Sequence, residues 1–223
     1  SKSRGNVINP DLIVKNLSAD SLRVYQMFMG PFDQSITWSS NNIVGSKRFL
    51  ERVWKLQEKV SDKHNDNEEV ILLLNQTIKK ITEDIENVSF NTAISGMMIL
   101  SNSLESQEKI SKETYLTFIK LLSPFAPHIC EEIWQKFGGT KSIIDESWPK
   151  YDSDKLQSSK VKIVVQINGK VRATVEVSTD SSEGDVEKVA INNPDIVKWI
   201  SNMKILKKIF VKNKIINFVI ESQ

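Results

Sequence analysis

Over the first 150 residues, hydrophobic positions recur with the period of an α-helix. In the second predicted helix, for example, Leu22, Tyr25 and Met29 fall on one face. The periodicity predicts helices over residues 12–17, 19–29, 39–60, 67–87, 90–104 and 111–137. We expect the last helix to bend, because it contains Pro124 and Pro127. Amphipathic helices joined by short polar loops predict an antiparallel helix bundle.

From residue 160 the hydrophobic period changes to two, which is the period of a half-buried strand. Asn168-Gly169 stands between two alternating runs, and this dipeptide is a strong signal for a tight hairpin turn. We expect strands over residues 161–167, 171–177, 205–211 and 215–220, and a helical stretch over 182–200 that is interrupted at Pro194. The predicted fold class is therefore mainly α: an antiparallel helix bundle followed by a small α+β domain of β-β-α-β-β order. We expect the helix to cover one face of the sheet.

A polar run over residues 152–159 separates the two patterns and is typical of a linker. The chain is therefore predicted to contain four parts. These are a connecting segment over residues 1–37, a helical bundle over 38–150, a linker over 151–159 and a small domain over 160–223.

Composition excludes several classes of protein. With 223 residues, 39% of them hydrophobic and 26% charged, the chain is long enough to bury a core without disulfides or metal. Cys130 is the single cysteine, which excludes an intramolecular disulfide and a multi-cysteine metal site. We therefore expect no metal and a reducing, cytoplasmic compartment. The sequence has no run of about 18 apolar residues, so we expect no membrane partner.

Charge is unevenly divided along the chain. The formal net charge is +2, yet residues 160–223 hold 11 basic and 7 acidic residues, whereas the rest holds 19 basic and 21 acidic ones. The predicted small domain is therefore the basic part, which favours a polyanionic partner. Solvated lysines that protect strand edges from pairing explain the same pattern equally well.

Ser1, Lys2 and Ser3 belong to a polar segment that can lie against phosphates. From these residues alone, an exposed polar segment is the favoured interpretation, because such short motifs occur often by chance.

His128 and Cys130 lie among apolar neighbours, and no third ligand is suitably spaced. We therefore expect a satisfied histidine within the bundle and an inert buried thiol, rather than a metal site or a nucleophile. We expect the tryptophans to pack in the core or cap it, with base stacking as the alternative for Trp148.

Residues 1–7, followed by Asn9-Pro10, resemble the end of the Lys-Met-Ser-Lys-Ser signature of class I aminoacyl-tRNA synthetases, without its first Lys and Met. Further segments resemble the region after this signature in bacterial-type leucyl-tRNA synthetases: residues 19–25, 28–31, 34–39 and 48–54. Residues 90–94 and 122–134 are similar to the helical anticodon-binding-type domain shared by the leucine, isoleucine, valine and methionine enzymes.

Residues 165–172 and 211–217 resemble the small terminal domain of the bacterial leucyl enzymes. A valyl enzyme is expected to end in a heptad-patterned coiled coil, and an isoleucyl enzyme often in a cysteine-rich zinc module. Alternating strands and one cysteine fit neither. Essentially the whole chain therefore resembles the C-terminal portion of a bacterial-type leucyl-tRNA synthetase that starts inside the signature.

The resemblance implies an aminoacyl-tRNA ligase that activates leucine with ATP and Mg²⁺ and transfers it to tRNA(Leu). Lys2 matches the signature lysine that contacts the ATP phosphates and stabilises the activation transition state, so it is the candidate catalytic residue. Ser1 and Ser3 match the flanking serines and are candidate ATP contacts. The nucleotide-binding Rossmann domain would precede Ser1. We therefore expect this chain alone to be a monomer that binds no cofactor and does not aminoacylate.

In this family the terminal domain approaches the tRNA elbow. Charge and domain position then identify six candidate tRNA contacts: Lys170, Arg172, Lys207, Lys208, Lys212 and Lys214. Two alternatives stay open. One is a freestanding RNA-binding module derived from a synthetase tail, and the other is an isoleucyl or valyl enzyme.

Overall fold

The structure, a computed structural model, describes residues 5, 7–157, 160–201 and 203–221, and only the backbone of residues 40 and 41. The chain forms two compact units, Ser1–Leu156 and Gln157–Gln223. This division lies within the stretch predicted as a linker. The separation of residues 1–37 from the bundle stays a prediction.

Helices build the first unit. Those in its described part are α1 (Pro10–Leu17), α2 (Ala19–Phe28), α3 (Ser40–Lys55), α4 (Glu68–Glu86), α5 (Phe90–Ser106), α6 (Lys112–Leu122) and α7 (Pro127–Lys136). Asn9, Ser18, Asn67 and Ser111 precede α1, α2, α4 and α6, and each side chain accepts a backbone N–H of the first turn. These caps satisfy donors that have no partner inside a helix, which is why the helices begin there.

The apolar faces of α2 to α7 meet in one core. Phe49, Met97 and Phe118 are fully buried in it. The buried Tyr115 hydroxyl donates to the carbonyl oxygen of Val53 at 3.0 Å, so the polar atom of this ring is satisfied. No helix in the described ranges is both long and apolar enough to cross a lipid bilayer.

Two short strands that the sequence analysis did not predict link the loops of the bundle. β1 (Val60–Ser61) and β2 (Ile110–Ser111) pair in parallel. They explain why the helix predicted over residues 39–60 is too long. The α-helix ends at Lys55, a 3₁₀ turn over Leu56–Lys59 follows, and the chain then extends so that Val60 can pair with Ile110.

The single bent helix predicted over residues 111–137 is wrong, because two separate helices occupy this stretch. The backbone N–H groups of Phe125 and Ala126 both donate to the Leu122 carbonyl, which closes a turn after α6. Pro127 has no N–H to continue that ladder, so it becomes the first residue of α7.

The second unit is a four-stranded sheet with two helices. Its elements are β3 (Lys160–Ile167), β4 (Lys170–Ser178), α8 (Glu183–Ile191), α9 (Pro194–Ile200), β5 (Ile205–Val211) and β6 (Ile215–Ile220). The strand order is β4-β3-β6-β5, with β3 and β6 parallel and the two outer pairs antiparallel.

Both helices of this unit pack on one face of the sheet. Val186 of α8 and Ile196 of α9 share a core with Ile163, Val165 and Phe218 of the central strands. The predicted helical stretch is interrupted at Pro194, as expected, and this gives two helices. The predicted fold class, a mainly α chain with a small α+β domain, is confirmed.

Candidate nucleic-acid interface

The turn between β3 and β4 is fixed to the neighbouring strand. Asn168 and Gly169 adopt positive φ angles of 48° and 78°, a conformation that asparagine tolerates and glycine adopts without steric cost. The Ile220 N–H donates to Asn168 Oδ1 at 2.9 Å, and the Gly169 N–H donates to Asn217 Oδ1 at 3.1 Å. These bonds to β6 fix the position at which β4 and its first residue, Lys170, begin.

A β-bulge lies two residues further along β4. The register with β3 shifts between Val171 and Ala173, and it leaves Arg172 without a pairing partner. The Arg172 guanidinium lies over the indole of Trp199 in α9, with its Cζ 3.6 Å from the ring centroid. At this distance the two planar groups are in direct contact, which is a favourable cation–π arrangement.

Two of the six candidate cations are already in ion pairs. Lys208 Nζ lies 2.7 Å from a carboxylate oxygen of Glu187, and this hydrogen bond raises the pKa of Lys208. Lys212 Nζ lies 3.1 Å from Asp180, and hydrogen bonds from Lys212 and then Asn213 lower the pKa of Asp180. Their charges are therefore partly compensated within the unit.

Lys170, Lys207 and Lys214 are exposed and uncompensated. Their side chains make no hydrogen bond or ion pair to any residue that the structure describes. They are the candidate lysines whose full charge faces solvent.

The six candidates do not form one cluster. Lys170 on β4 pairs with Ile167 on β3, and Lys208 on β5 pairs with Phe218 on β6. Because Ile167 also pairs with Phe218, the two lysines lie at the same level of the sheet, on its two opposite edge strands. Arg172 and Lys207 lie near this level. Lys212 and Lys214 flank the β5–β6 turn, about 13 Å further along the strands. The sheet therefore carries cations at both of its ends.

The predicted ATP contacts Ser1, Lys2 and Ser3 lie outside the described residues. Their assignment stays a prediction.

The first unit contains a buried carboxylate that the sequence analysis missed. Asp20 of α2 is only 4% exposed. It lies 2.7 Å from His128 Nδ1 and accepts the Ile129 N–H at 2.8 Å. One turn later in the same helix, Arg23 donates to the Pro124 carbonyl at 2.7 Å. These bonds attach α2 to the start of α7.

The residue before α7 gives the only sequence signal that another side chain has to cap this helix. Ala126 precedes α7 and cannot accept a backbone N–H with its side chain, so the acceptor has to come from elsewhere in the chain. His128 has a polar partner, as predicted, because its Nδ1 lies 2.7 Å from Asp20. However, 73% of its side chain is exposed, so it lies at the surface of the bundle.

Two further predictions about single residues can be compared with the structure. Cys130 is fully buried, as predicted, and this burial raises the pKa of its thiol, which disfavours the reactive thiolate. The Trp148 indole N–H donates to Thr82 Oγ1 at 2.9 Å, and the ring packs against the core. The structure therefore favours packing over base stacking for Trp148. Trp199, for which packing in the core or a cap was expected, is 42% exposed.

Glu131 joins α7 to the segment that follows it. Its carboxylate accepts hydrogen bonds from the Ser142 hydroxyl at 2.7 Å and the Ile143 N–H at 2.9 Å. These two bonds, together with a third from Gln135, lower the pKa of Glu131. Because all three donors belong to the protein, the arrangement indicates a structural role.

Comparison with known proteins gives two matches. Residues 67–191 match the family described as the anticodon-binding domain of tRNA ligase, and the matched stretch begins just before α4 and ends with α8. A leucyl-tRNA synthetase of Agrobacterium radiobacter, solved in a ternary complex with tRNA and LeuAMS, is similar in structure. The TM-score is 0.73 at 28% identity, over 100% of this chain and 31% of that one. The chain thus spans less than a third of the synthetase that it matches.

Proposed function

The chain belongs to the family of anticodon-binding domains of tRNA ligases, and from this premise we propose that it is the tRNA-binding C-terminal part of a leucine–tRNA ligase. The whole protein then activates leucine with ATP and Mg²⁺ in the cytoplasm and transfers it to tRNA(Leu). The observation that carries this proposal is the similarity of the entire chain to a leucyl-tRNA synthetase whose complex contains tRNA.

The geometry of the second unit supports RNA binding through the phosphate backbone. The sheet face opposite α8 and α9 carries Val164, Ile215 and Ile209, and the described residues place no aromatic side chain there. It therefore lacks the stacking platform with which many RNA-binding sheets hold bases. Exposed cations at its ends can instead neutralise phosphates, which positions an RNA without reading its sequence.

Within this proposal, Lys2 acts on ATP, flanked by Ser1 and Ser3. A lysine on a loop beside the phosphates stabilises negative charge that develops during adenylate formation. In the complete ligase, Lys2→Ala should therefore lower the rate of leucine-dependent pyrophosphate exchange far more than it weakens tRNA binding.

A competition assay tests the assignment to leucine. The 223-residue chain is added to a complete leucyl-tRNA synthetase that is charging tRNA(Leu). By sequestering the tRNA, the chain should raise the apparent KM for tRNA(Leu) and leave kcat unchanged. Isoleucyl- and valyl-tRNA synthetases with their own tRNAs are the controls and should be unaffected. Inhibition of either control reaction in place of the leucyl one would contradict the proposal.

A further inference from the structure

We propose that Arg172, held against the ring of Trp199, is a preoriented phosphate-binding site of the second unit, in which Trp199 is a positioning residue. The inference rests on the proposed function, because its ligand is the phosphodiester backbone of tRNA, and it names one specific contact. Neither the charge pattern nor the family match distinguishes this arginine from its neighbouring lysines.

The environment of the Arg172 guanidinium orients the side chain. Trp199 remains 42% exposed although it is a large aromatic side chain, and its ring covers one face of the Arg172 guanidinium at 3.6 Å. The bulge leaves Arg172 unpaired on β4, next to a strand start that the Asn168 turn fixes. Stacking restricts the rotation of a long side chain before a ligand arrives, so less entropy is lost on binding.

Charge distinguishes Arg172 from two of the lysines around it. Lys198, next to Trp199 in sequence, lies 2.9 Å from Asp195, and Lys208 is paired with Glu187. Arg172 has no carboxylate partner and donates no hydrogen bond to any described residue. Its Nε is buried and has no acceptor among the residues that the structure describes. The two terminal nitrogens of the guanidinium therefore carry an uncompensated positive charge on a fixed plane.

The geometry of a phosphate group matches a guanidinium better than an ammonium. A guanidinium presents parallel N–H donors that match two oxygens of one phosphate, whereas a lysine offers only a point charge. Lys170, two residues earlier on the same strand, adds a second exposed cation for the same or an adjacent phosphate. An oriented guanidinium beside a flexible lysine side chain fits an extended polyanion such as an RNA backbone.

The test compares four variants of the full chain for binding to a tRNA(Leu) transcript over a salt titration. Arg172→Gln removes both the charge and the paired N–H donors of the guanidinium. It should weaken binding about tenfold and flatten the slope of log affinity against log salt concentration by about one. Arg172→Lys keeps the charge, so it should keep the slope and still lose about fivefold. Trp199→Leu should lose about as much as Arg172→Lys, and Trp199→Phe, which retains an aromatic face, should bind within about twofold of wild type.

A double variant tests whether the two residues act as one unit. Arg172→Lys combined with Trp199→Leu should bind no more weakly than Arg172→Lys alone, because the stack is already lost in the single variant. Lys198→Gln is the matched control. It removes one charge from α9 that is already paired with Asp195, and it should leave affinity within about twofold of wild type. Circular dichroism and urea midpoints identify any variant that is not folded.

Several results would overturn the inference. If Arg172→Lys binds tRNA(Leu) as tightly as wild type, Arg172 acts only through its positive charge and not through the geometry of its guanidinium. A loss on Trp199→Leu without any loss on Arg172→Lys would indicate that a base stacks on the ring instead. If the losses of affinity add in the double variant, Arg172 and Trp199 act independently and not as one unit. If the wild-type chain does not bind tRNA(Leu) at all, the proposed function fails first, and that outcome is distinct from these.

Discussion

At the scale of single residues, Asp20 joins α2 to the start of α7. It is buried and bonds to His128 and Ile129. Asp20→Ala would remove the acceptor of the half-buried Ile129 N–H and the partner of His128 Nδ1, so we expect the free energy of unfolding in urea to fall by about 2 kcal/mol. Asp33→Ala is the control, because Asp33 is exposed, and it should change this free energy by less than about 0.5 kcal/mol. Equal effects of the two substitutions would contradict the assignment.

Glu131 should make stability depend on acid pH. The Ser142, Ile143 and Gln135 donors hold its pKa below the ordinary value of 4.5 in the folded chain. A lowered folded pKa stabilises the protein above the unfolded pKa, and this contribution is lost as pH falls through the folded pKa. We expect Glu131→Gln to have a lower urea midpoint than wild type at neutral pH, and this difference should shrink as pH falls below 4.5.

The adjacent Glu132 provides the control for that titration. It is exposed and makes no hydrogen bond to a described residue, so Glu132→Gln should follow the wild-type pH dependence of stability. A difference between wild type and Glu131→Gln that stays constant across the acid range would show that the carboxylate charge is not responsible.

Residues whose role depends on local pattern could be predicted, and those whose role depends on tertiary contacts could not. The hydrophobic context of Cys130 was sufficient to predict a buried thiol. Asp20 acts across more than a hundred residues of sequence on the first turn of α7, and no local pattern contains that information. Trp199 was expected to pack in the core or cap it, because the sequence shows ring size but not the bulge that leaves Arg172 unpaired beside the ring.

At the scale of elements, the β3–β4 turn depends on backbone conformation. Gly169 has φ of +78°, and a Cβ added there would meet no heavy atom within 4 Å. Gly169→Ala should therefore destabilise the chain by about 1 kcal/mol through backbone conformation alone. Gly184 in α8 has room for a Cβ and an ordinary helical φ, so Gly184→Ala should instead stabilise by about 0.5 kcal/mol. Urea denaturation measures both, and effects of the same sign would contradict the interpretation.

The elements show where periodicity succeeds and where it fails. The strands β3 and β4 follow from alternation and from the Asn168-Gly169 turn, and β5 and β6 follow from apolar runs on either side of the turn at Asn213-Lys214. All of these signals are local. The break between α6 and α7 was predicted only as a bend, because a proline can kink a helix or begin a new one. Bonds from Phe125 and Ala126 to one carbonyl decide between these outcomes. The pairing of β1 with β2 joins segments about fifty residues apart, which no periodicity detects.

At the scale of the whole molecule, ion pairs within the second unit compensate part of its positive charge. We compare two double variants that each remove two charges: Lys170→Gln with Lys207→Gln, and Lys208→Gln with Lys212→Gln. The first pair is uncompensated and should flatten the salt slope of tRNA binding by about two. The second pair is engaged by Glu187 and Asp180 and should change the slope by less than half as much. Equal changes would show that ion pairing within the unit does not decide which lysines bind.

The most direct test of the account is the binding of the 223-residue chain to purified tRNAs for leucine, isoleucine, valine and serine, each titrated with salt. Serine tRNA is included because it also has a long variable arm. We predict tightest binding to leucine tRNA, with a log affinity that falls linearly with log salt concentration. Equal binding to all four tRNAs, or a preference for isoleucine or valine tRNA, would contradict the claim that this chain is the tRNA-binding part of a leucine–tRNA ligase.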